Sequence, residues 1–202
     1  NVIYVGGGEV TLRGNVSSGY GVFKSVDAGK TWNYSGLPNS RHIPRIVIDP
    51  NNNDIVYAAV LGNIYKPTDE RGGYKSIDGG ASWKKVLFVN NLSGAFEIVL
   101  DPNNPRVLYA STWRVQRTPY SLSSGGDGST LWKSTDNGEN WKKISDNSGF
   151  PSGVLGVIGV TVSPVNSERV WVIVENQEKG GVYRSDDSGK NWTYTNSSRS
   201  LR

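Results

Sequence analysis

Cysteine and methionine are absent from the chain, and histidine occurs once, as His42. The lack of cysteine excludes disulfides, thiolate metal sites and cysteine nucleophiles together. One histidine excludes two-histidine zinc centres and leaves a single candidate base for a Ser-His-Asp arrangement. Set between Arg41 and Ile43 at the entrance to a strand, His42 reads as a structural residue. No apolar run approaches the roughly 18 residues of a membrane span, and no basic segment followed by an apolar one opens the chain. The 22 basic and 18 acidic side chains are spread evenly, for a net charge of +4, so there is no concentrated patch for nucleic acid or an anionic membrane. A chain that starts at Asn1 with no methionine is expected to be a segment of something longer.

What the sequence does have is glycine (25), tyrosine (10) and tryptophan (7), with Val and Ile alternating with polar residues. That mixture describes a turn-rich, all-β protein. It is also repetitive. TLWKSTDNGENW, from Thr130, recurs as GVFKSVDAGKTW from Gly21, GGYKSIDGGASW from Gly72 and GVYRSDDSGKNW from Gly181. A second repeat interleaves with it: RIVIDPNNNDIVYAA from Arg45, FEIVLDPNNPRVLYAS from Phe96 and IGVTVSPVNSERVWVIV from Ile158. Each of these reads as strand, turn, strand, because alternating apolar residues halt at Asp-Pro or Ser-Pro and resume after an Asn-rich turn. Together the two repeats predict four strands per unit of about 50 residues, the size of a β-propeller blade.

The first repeat has a chemical rationale as a turn between the last two strands of a blade. Its Ser and Asp can bond backbone amides, its Gly tolerates positive φ, and its Trp covers the hairpin. The residues concerned are Ser25, Asp27, Gly29 and Trp32; Ser76, Asp78, Gly80 and Trp83; Ser134, Asp136, Gly138 and Trp141; and Ser185, Asp187, Gly189 and Trp192. The Asp-Asn-Gly of Asp136 to Gly138 lacks the further acidic ligands of a calcium loop, so no metal is expected. GGGE, at Gly6 to Glu9, is followed neither by a helix nor by Gly-Lys-Ser/Thr, so no phosphate loop or cofactor is expected either.

The pattern Ser-x-Asp-x-Gly-x-x-Trp resembles the Asp-box, or bacterial neuraminidase repeat, of sialidase, xyloglucanase and sortilin propellers. The stretches VIYVGGGE, SRHIPRIVIDP, LSSGGDGSTLWKSTDNGENW and GGVYRSDDSGKNW are similar to secreted bacterial sortilin-like or glycosyl-hydrolase-like repeat proteins. The resemblance implies a propeller and an extracellular, periplasmic or cell-surface location. It does not fix an activity, since enzymes and receptors share the box.

The expected layout is one partial propeller over residues 1–202, with an incomplete blade at 1–36 and full ones at 37–88, 89–146 and 147–202. Three strands and then three complete blades give fifteen strands, part of a larger propeller of seven or more blades completed by another segment or chain. The tail Asn196 to Arg202 is too polar to supply the missing strand. Boxes and Asp-Pro turns share one face, which places the long loops on the other, at Gly6 to Tyr20, Val60 to Gly73 and Ser111 to Ser129. Loops of such length usually mean function or disorder.

They carry the candidate ligand residues Glu9, Arg13, Tyr65, Asp69, Glu70, Trp113, Arg114 and Arg117, joined by Arg41 and His42 from the loop before Arg45. Lys66, Arg71 and Tyr120 lie in the same loops. Charges beside aromatics near a propeller axis suit a sugar or a peptide. The plainer alternative is that Glu9, Arg13, Asp69 and Arg71 are paired surface charges and that Trp113 and Tyr120 pin their loop. A sialidase is excluded, because HIPRI of His42 to Ile46 departs from Phe-Arg-Ile-Pro in letters and in order. An extracellular module binding glycan or peptide is the expected function. The alternative is a glycoside hydrolase of sialidase- or xyloglucanase-like architecture with catalytic carboxylates partly outside the segment; a xyloglucanase-like inverting pair needs two carboxylates about 6.5–9.5 Å apart, with Glu9, Asp69 and Glu70 as candidate members.

Overall fold

The structure is a computed structural model that describes residues 1–198; expectations for the tail beyond Ser198 lie outside the described residues. All regular elements among those residues are β-strands, in four antiparallel sheets. The first contains β1 (Ile3–Gly6), β2 (Val22–Ser25) and β3 (Asn33–Tyr34) in sequence order. The second contains β4 (Arg45–Asp49), β5 (Asn52–Val60), β6 (Gly72–Ser76) and β7 (Lys84–Leu87). The third is built on β8 (Ser93–Asp101), β9 (Asn104–Arg117), β10 (Leu122–Ser124), β11 (Thr130–Ser134) and β12 (Lys142–Lys143). The fourth has β13 (Leu155–Ser163), β14 (Asn166–Asn176), β15 (Gly181–Ser185) and β16 (Thr193–Asn196).

The all-β class and the four-sheet meander agree with the sequence reading, but the strand count does not. Sixteen strands are present among the described residues, because Ser111 to Ser129 is not a loop throughout. β9 runs on to Arg117, and β10 folds back on it with Leu122 opposite Arg117 and Ser124 opposite Val115. The alternation of Trp113, Val115 and Arg117 with polar neighbours already has the period of a strand; loop length masked it.

Alternation also explains the packing: successive residues of a strand face opposite ways, and in β5 and β9 both faces are buried, each against a different neighbouring sheet. Val22, Ile43, Ala58 and Val60 fill the space between sheets one and two. Tyr57, Ala59, Leu87, Ile98 and Leu108 fill that between two and three, and Tyr109, Leu131, Ile158, Val172 and Tyr183 that between three and four. The turns between the first two strands of blades two and three close on the Asp carboxylates. Asn51 N donates to Asp49 Oδ1 at 2.8 Å and Asn103 N to Asp101 Oδ1 at 2.9 Å.

The four repeat turns share one hydrogen-bond scheme. In the third, Ser134 Oγ donates to Asp136 Oδ1 at 2.8 Å and accepts from Gly138 N at 2.9 Å. Asp136 then accepts from Asn140 N at 2.9 Å and from Asn140 Nδ2 at 2.7 Å. Thr31, Ser82 and Asn191 take the place of Asn140 in the other turns, so the motif has a fifth position, directly before the Trp. The sequence predicts one left-handed residue per turn, and the backbone shows two. Ala28, Gly79, Asn137 and Ser188 have φ between 61° and 66°, and each is followed by the motif glycine.

The repeat turns of blades two, three and four each also bond the preceding blade. Tyr4 Oη donates to Gly79 O at 2.8 Å, Tyr57 Oη to Asn137 O at 2.9 Å and Tyr109 Oη to Ser188 O at 3.3 Å. The acceptor is in every case the first left-handed residue of the next blade's turn. Lys24 and Lys133 add bonds to the same carbonyls of Gly79 and Ser188, at 2.7 and 3.0 Å.

Candidate functional site

Ser134, in the repeat turn, pairs with Leu108 at one end of β9, and Thr130 pairs with Thr112 toward the other. Trp113 and the residues after it therefore occupy the rim opposite the repeat turns. The long loops are not separate there. Val16 from the first blade, Leu61 and Ile64 from the second and Trp113 and Val115 from the third form one buried cluster, against which Leu12, Phe96 and Val157 pack.

Most of the predicted ligand residues hold that rim together. Glu9 forms an ion pair with Arg13 and accepts from Ser17 N at 3.2 Å; Ser17 first, then Arg13, keep its carboxyl below the usual carboxylate range. Arg117 Nε donates to Arg13 O at 2.7 Å, and Tyr65 Oη donates to Val16 O at 3.0 Å. Arg41, at φ 58°, places its guanidinium 5.9 Å from the centre of the Tyr20 ring. Asp69 O accepts from Lys85 of the outermost strand of its blade, and the Glu70 carboxylate accepts from Thr68. Arg114 bonds Ser123, and Tyr120 projects from the β9–β10 turn with 96% of its surface exposed.

His42 is fully buried, and its Nδ1 lies 2.9 Å from Glu9 O. Burial holds its pKa below the usual imidazole value. Arg71 is fully buried as well, donating from Nη2 to Asn63 O at 2.7 Å and Val115 O at 3.1 Å. Burial lowers its pKa to about 10. It is thus not one of a surface charge pair, as the plainer sequence reading has it.

Between blades three and four, on the same rim, lies a cavity of about 480 Å³ lined by Phe96, Trp113, Leu122, Ser124, Val157 and Glu175, among others. Phe96 and Trp113 meet edge to face, with ring centres 5.4 Å apart, and Trp113 Nε1 donates to Ser124 Oγ at 3.0 Å. Leu122 and Ile173 are exposed at its edge. Glu175 Oε2 accepts from Ser124 Oγ at 2.6 Å and from Val157 N at 2.9 Å. The walls are therefore apolar, with one anchored carboxylate, an arrangement suited to the C–H face and the hydroxyls of a sugar.

Of the predicted ligand residues, only Trp113 lines this cavity; Glu9, Asp69 and Glu70 do not. Sequence reasoning missed Phe96 and Glu175, whose positions read as ordinary strand, and Leu122, which lies in the long Ser111 to Ser129 stretch but carries neither charge nor an aromatic ring. A signal was present in β13, LGVIGVTVS, because glycine inside a strand marks close approach of another group. A Cβ on Gly156 would collide with the Glu175 carboxylate, and one on Gly159 would come within 3.0 Å of Ile173 Cγ2. Among the described residues, no group of three or more His, Cys, Asp or Glu is arranged to hold a metal. No helix there is long and apolar enough to cross a membrane.

The chain is similar in sequence to xyloglucanases and in fold to GH74 enzymes. A xyloglucanase of Paenibacillus sp. is 26% identical over 188 residues, which is 80% of this chain and 16% of the relative. An oligoxyloglucan-reducing end-specific xyloglucanase of Emericella nidulans is 28% identical over 203 residues, covering 85% of this chain and 24% of the relative. The chain thus spans a quarter or less of the length of these two relatives. The crystal structure of the GH74 xyloglucanase from Xanthomonas campestris matches with a TM-score of 0.63 at 20% identity, over 96% of this chain and 32% of that one. The GH74 enzyme of Niastella koreensis gives 0.63 at 23% identity, over 86% and 26%. These likenesses establish the fold, a propeller of four-stranded blades. The Sortilin-Vps10 model, described as sortilin, neurotensin receptor 3, matches residues 20–149, and with well over half of its length so matched, the chain belongs to that family.

Proposed function

We propose that this chain is the glycan-contacting section of a secreted, glycoside-hydrolase-like propeller. The observation that carries the reading is the cavity in which Phe96 and Trp113 form an apolar wall and Glu175 presents a carboxylate fixed by two hydrogen bonds. Sugars bind where ring surface meets apolar area and hydroxyls meet rigid acceptors, and a preorganised acceptor loses little freedom on binding. Xyloglucanases among the sequence relatives support a plant-type glucan as the ligand class and favour hydrolysis over binding alone.

Inverting hydrolysis needs a second carboxylate about 6.5–9.5 Å from the first, with room for water between them. Among the described residues lining the cavity, Glu175 is the one carboxylate. A catalytic pair therefore takes at least one member from another part of the polypeptide. Calorimetric titration of the intact protein with xyloglucan oligosaccharides, alongside an assay for new reducing ends, tests the proposal. Saturable binding that weakens in Glu175→Gln supports it. Turnover establishes the hydrolase, binding without turnover leaves a recognition module, and the absence of binding overturns both.

A further inference from the structure

Beneath the rim, His42 and Arg71 are both fully buried, and neither has a carboxylate partner among the described ion pairs. They sit around one short segment. Leu61 N donates to His42 O at 2.9 Å, and a Cβ on the next residue, Gly62, would lie 2.5 Å from Arg71 Cγ. A carbonyl oxygen can only accept, so the contact with Glu9 O places the His42 proton on Nδ1. His42 Nε2 then carries the lone pair. It is buried without a hydrogen-bond partner among the described residues, as are Arg71 Nε and Nη1.

Protonation at Nε2 would add a donor where none of the described residues offers an acceptor, beside a guanidinium that stays charged. The other charged groups that act on this compartment do little to relieve it. Arg41 and Arg114 add positive charge, next to His42 and Arg71 respectively. Glu9, the one acidic influence, is already engaged by Arg13 and Ser17.

We propose that His42 and Arg71 form an acid-sensitive latch for the loop rim, closed while the imidazole is neutral and released when it takes up a proton. The latch holds three segments. His42 fixes Gly7–Ser17 through Glu9 O and the β5–β6 loop through Leu61 N, and Arg71 ties that loop to β9 through Val115 O. The histidine pKa is lowered in the closed state, so closure is fully present above the ordinary value of about 6.5 and is lost as pH falls below it. This inference does not depend on the glycan reading.

Hydrogen exchange and histidine NMR on the intact protein between pH 8 and 4.5 test it. The expected result is a neutral His42 with its proton on Nδ1 well below pH 6.5. Protection of the Gly19, Ile43 and Leu61 amides should fall by up to about tenfold per pH unit, while that of amides in β14 and β15 holds. His42→Gln, which keeps a donor toward Glu9 O and cannot titrate, abolishes the fall. Should that variant fail to fold, Arg71→Met must raise the His42 pKa toward its ordinary value. Titration near pH 6.5 with constant protection, a proton on Nε2, or a His42 pKa unmoved by Arg71→Met overturns the latch.

Discussion

Tyr57, on the second strand of one blade, donates its phenolic hydrogen to Asn137 O in the repeat turn of the next, at 2.9 Å. The ring lies against the turn's glycine, where a Cβ on Gly138 would be 3.2 Å from Tyr57 Cε1. Tyr4 and Tyr109 stand in the same relation to Gly79 and Ser188. A side chain inside one sheet thus reads the conformation of the turn that closes another.

Tyr57→Phe keeps the packing and removes one hydrogen bond, for an expected loss of about 1 kcal/mol. Tyr57→Ala also leaves a cavity and should cost about 3–5 kcal/mol. Urea unfolding of both variants measures the difference. Equal losses would mean that the hydroxyl, rather than the ring, carries the interaction.

The motif glycines offer an internal comparison. Gly29 and Gly80 share nearly the same φ, 89° and 86°, but a Cβ on Gly29 meets only ordinary contacts from 3.7 Å, whereas one on Gly80 lies 2.5 Å from Ser35 Oγ. Gly29→Ala is expected to cost about 1–2 kcal/mol through backbone strain alone. Gly80→Ala should add an overpacking cost of about 1–3 kcal/mol. Ala28→Gly, at φ 63°, removes strain of the same kind and should leave stability unchanged or raise it by up to about 1 kcal/mol.

Acid should weaken all four turns together. Asp27, Asp78, Asp136 and Asp187 are each lowered to about 2 by hydrogen bonds, chiefly from Thr31, Ser82, Asn140 and Asn191 respectively. A depressed carboxylate contributes stability above its unfolded value, about 3.9, and loses it as pH falls toward 2. Glu139, held down by Lys75 and Lys84, acts in the same sense. The urea midpoint should therefore drop between pH 5 and pH 2.5, and Asp136→Asn should show a smaller drop from a lower starting point.

Two substitutions probe the cavity. Glu175→Gln keeps the shape and replaces a charged acceptor, so oligosaccharide affinity should fall about tenfold, equivalent to about 1.4 kcal/mol. Trp113→Ala removes wall area and the bond to Ser124, and should abolish measurable binding while also lowering the thermal midpoint. A Glu175→Gln protein that binds as tightly as the parent would exclude this carboxylate from recognition.

The chain's periodicities made the architecture legible, and its chemistry was less so. The spacing of Ser25, Ser76, Ser134 and Ser185 located the four outer turns, and Asp-Pro at Asp49 and Asp101 located the inner ones. The inter-blade role of Tyr4, Tyr57 and Tyr109 was not readable, because alternation reports which face of a strand is buried and not which residue in another blade it meets. The site was harder still. Glu9, Arg13 and Arg117 stood out by charge and loop length, yet they bond one another or backbone. Glu175 looked like any outward strand residue, and it became conspicuous only once Ser124, some fifty positions earlier, came to lie 2.6 Å from it.

The two rims answer differently to change. Each repeat turn satisfies its own Ser, Asp and Gly, so one can be swapped for another as a cassette wherever the neighbouring tyrosine is kept. On the opposite rim, Leu12, Val16, Ile64 and Val115 from three blades share a single cluster. Lengthening or shortening any one of those loops shifts the seats of the other two, so variety in what this rim recognises has to be gained by altering three separated stretches in concert.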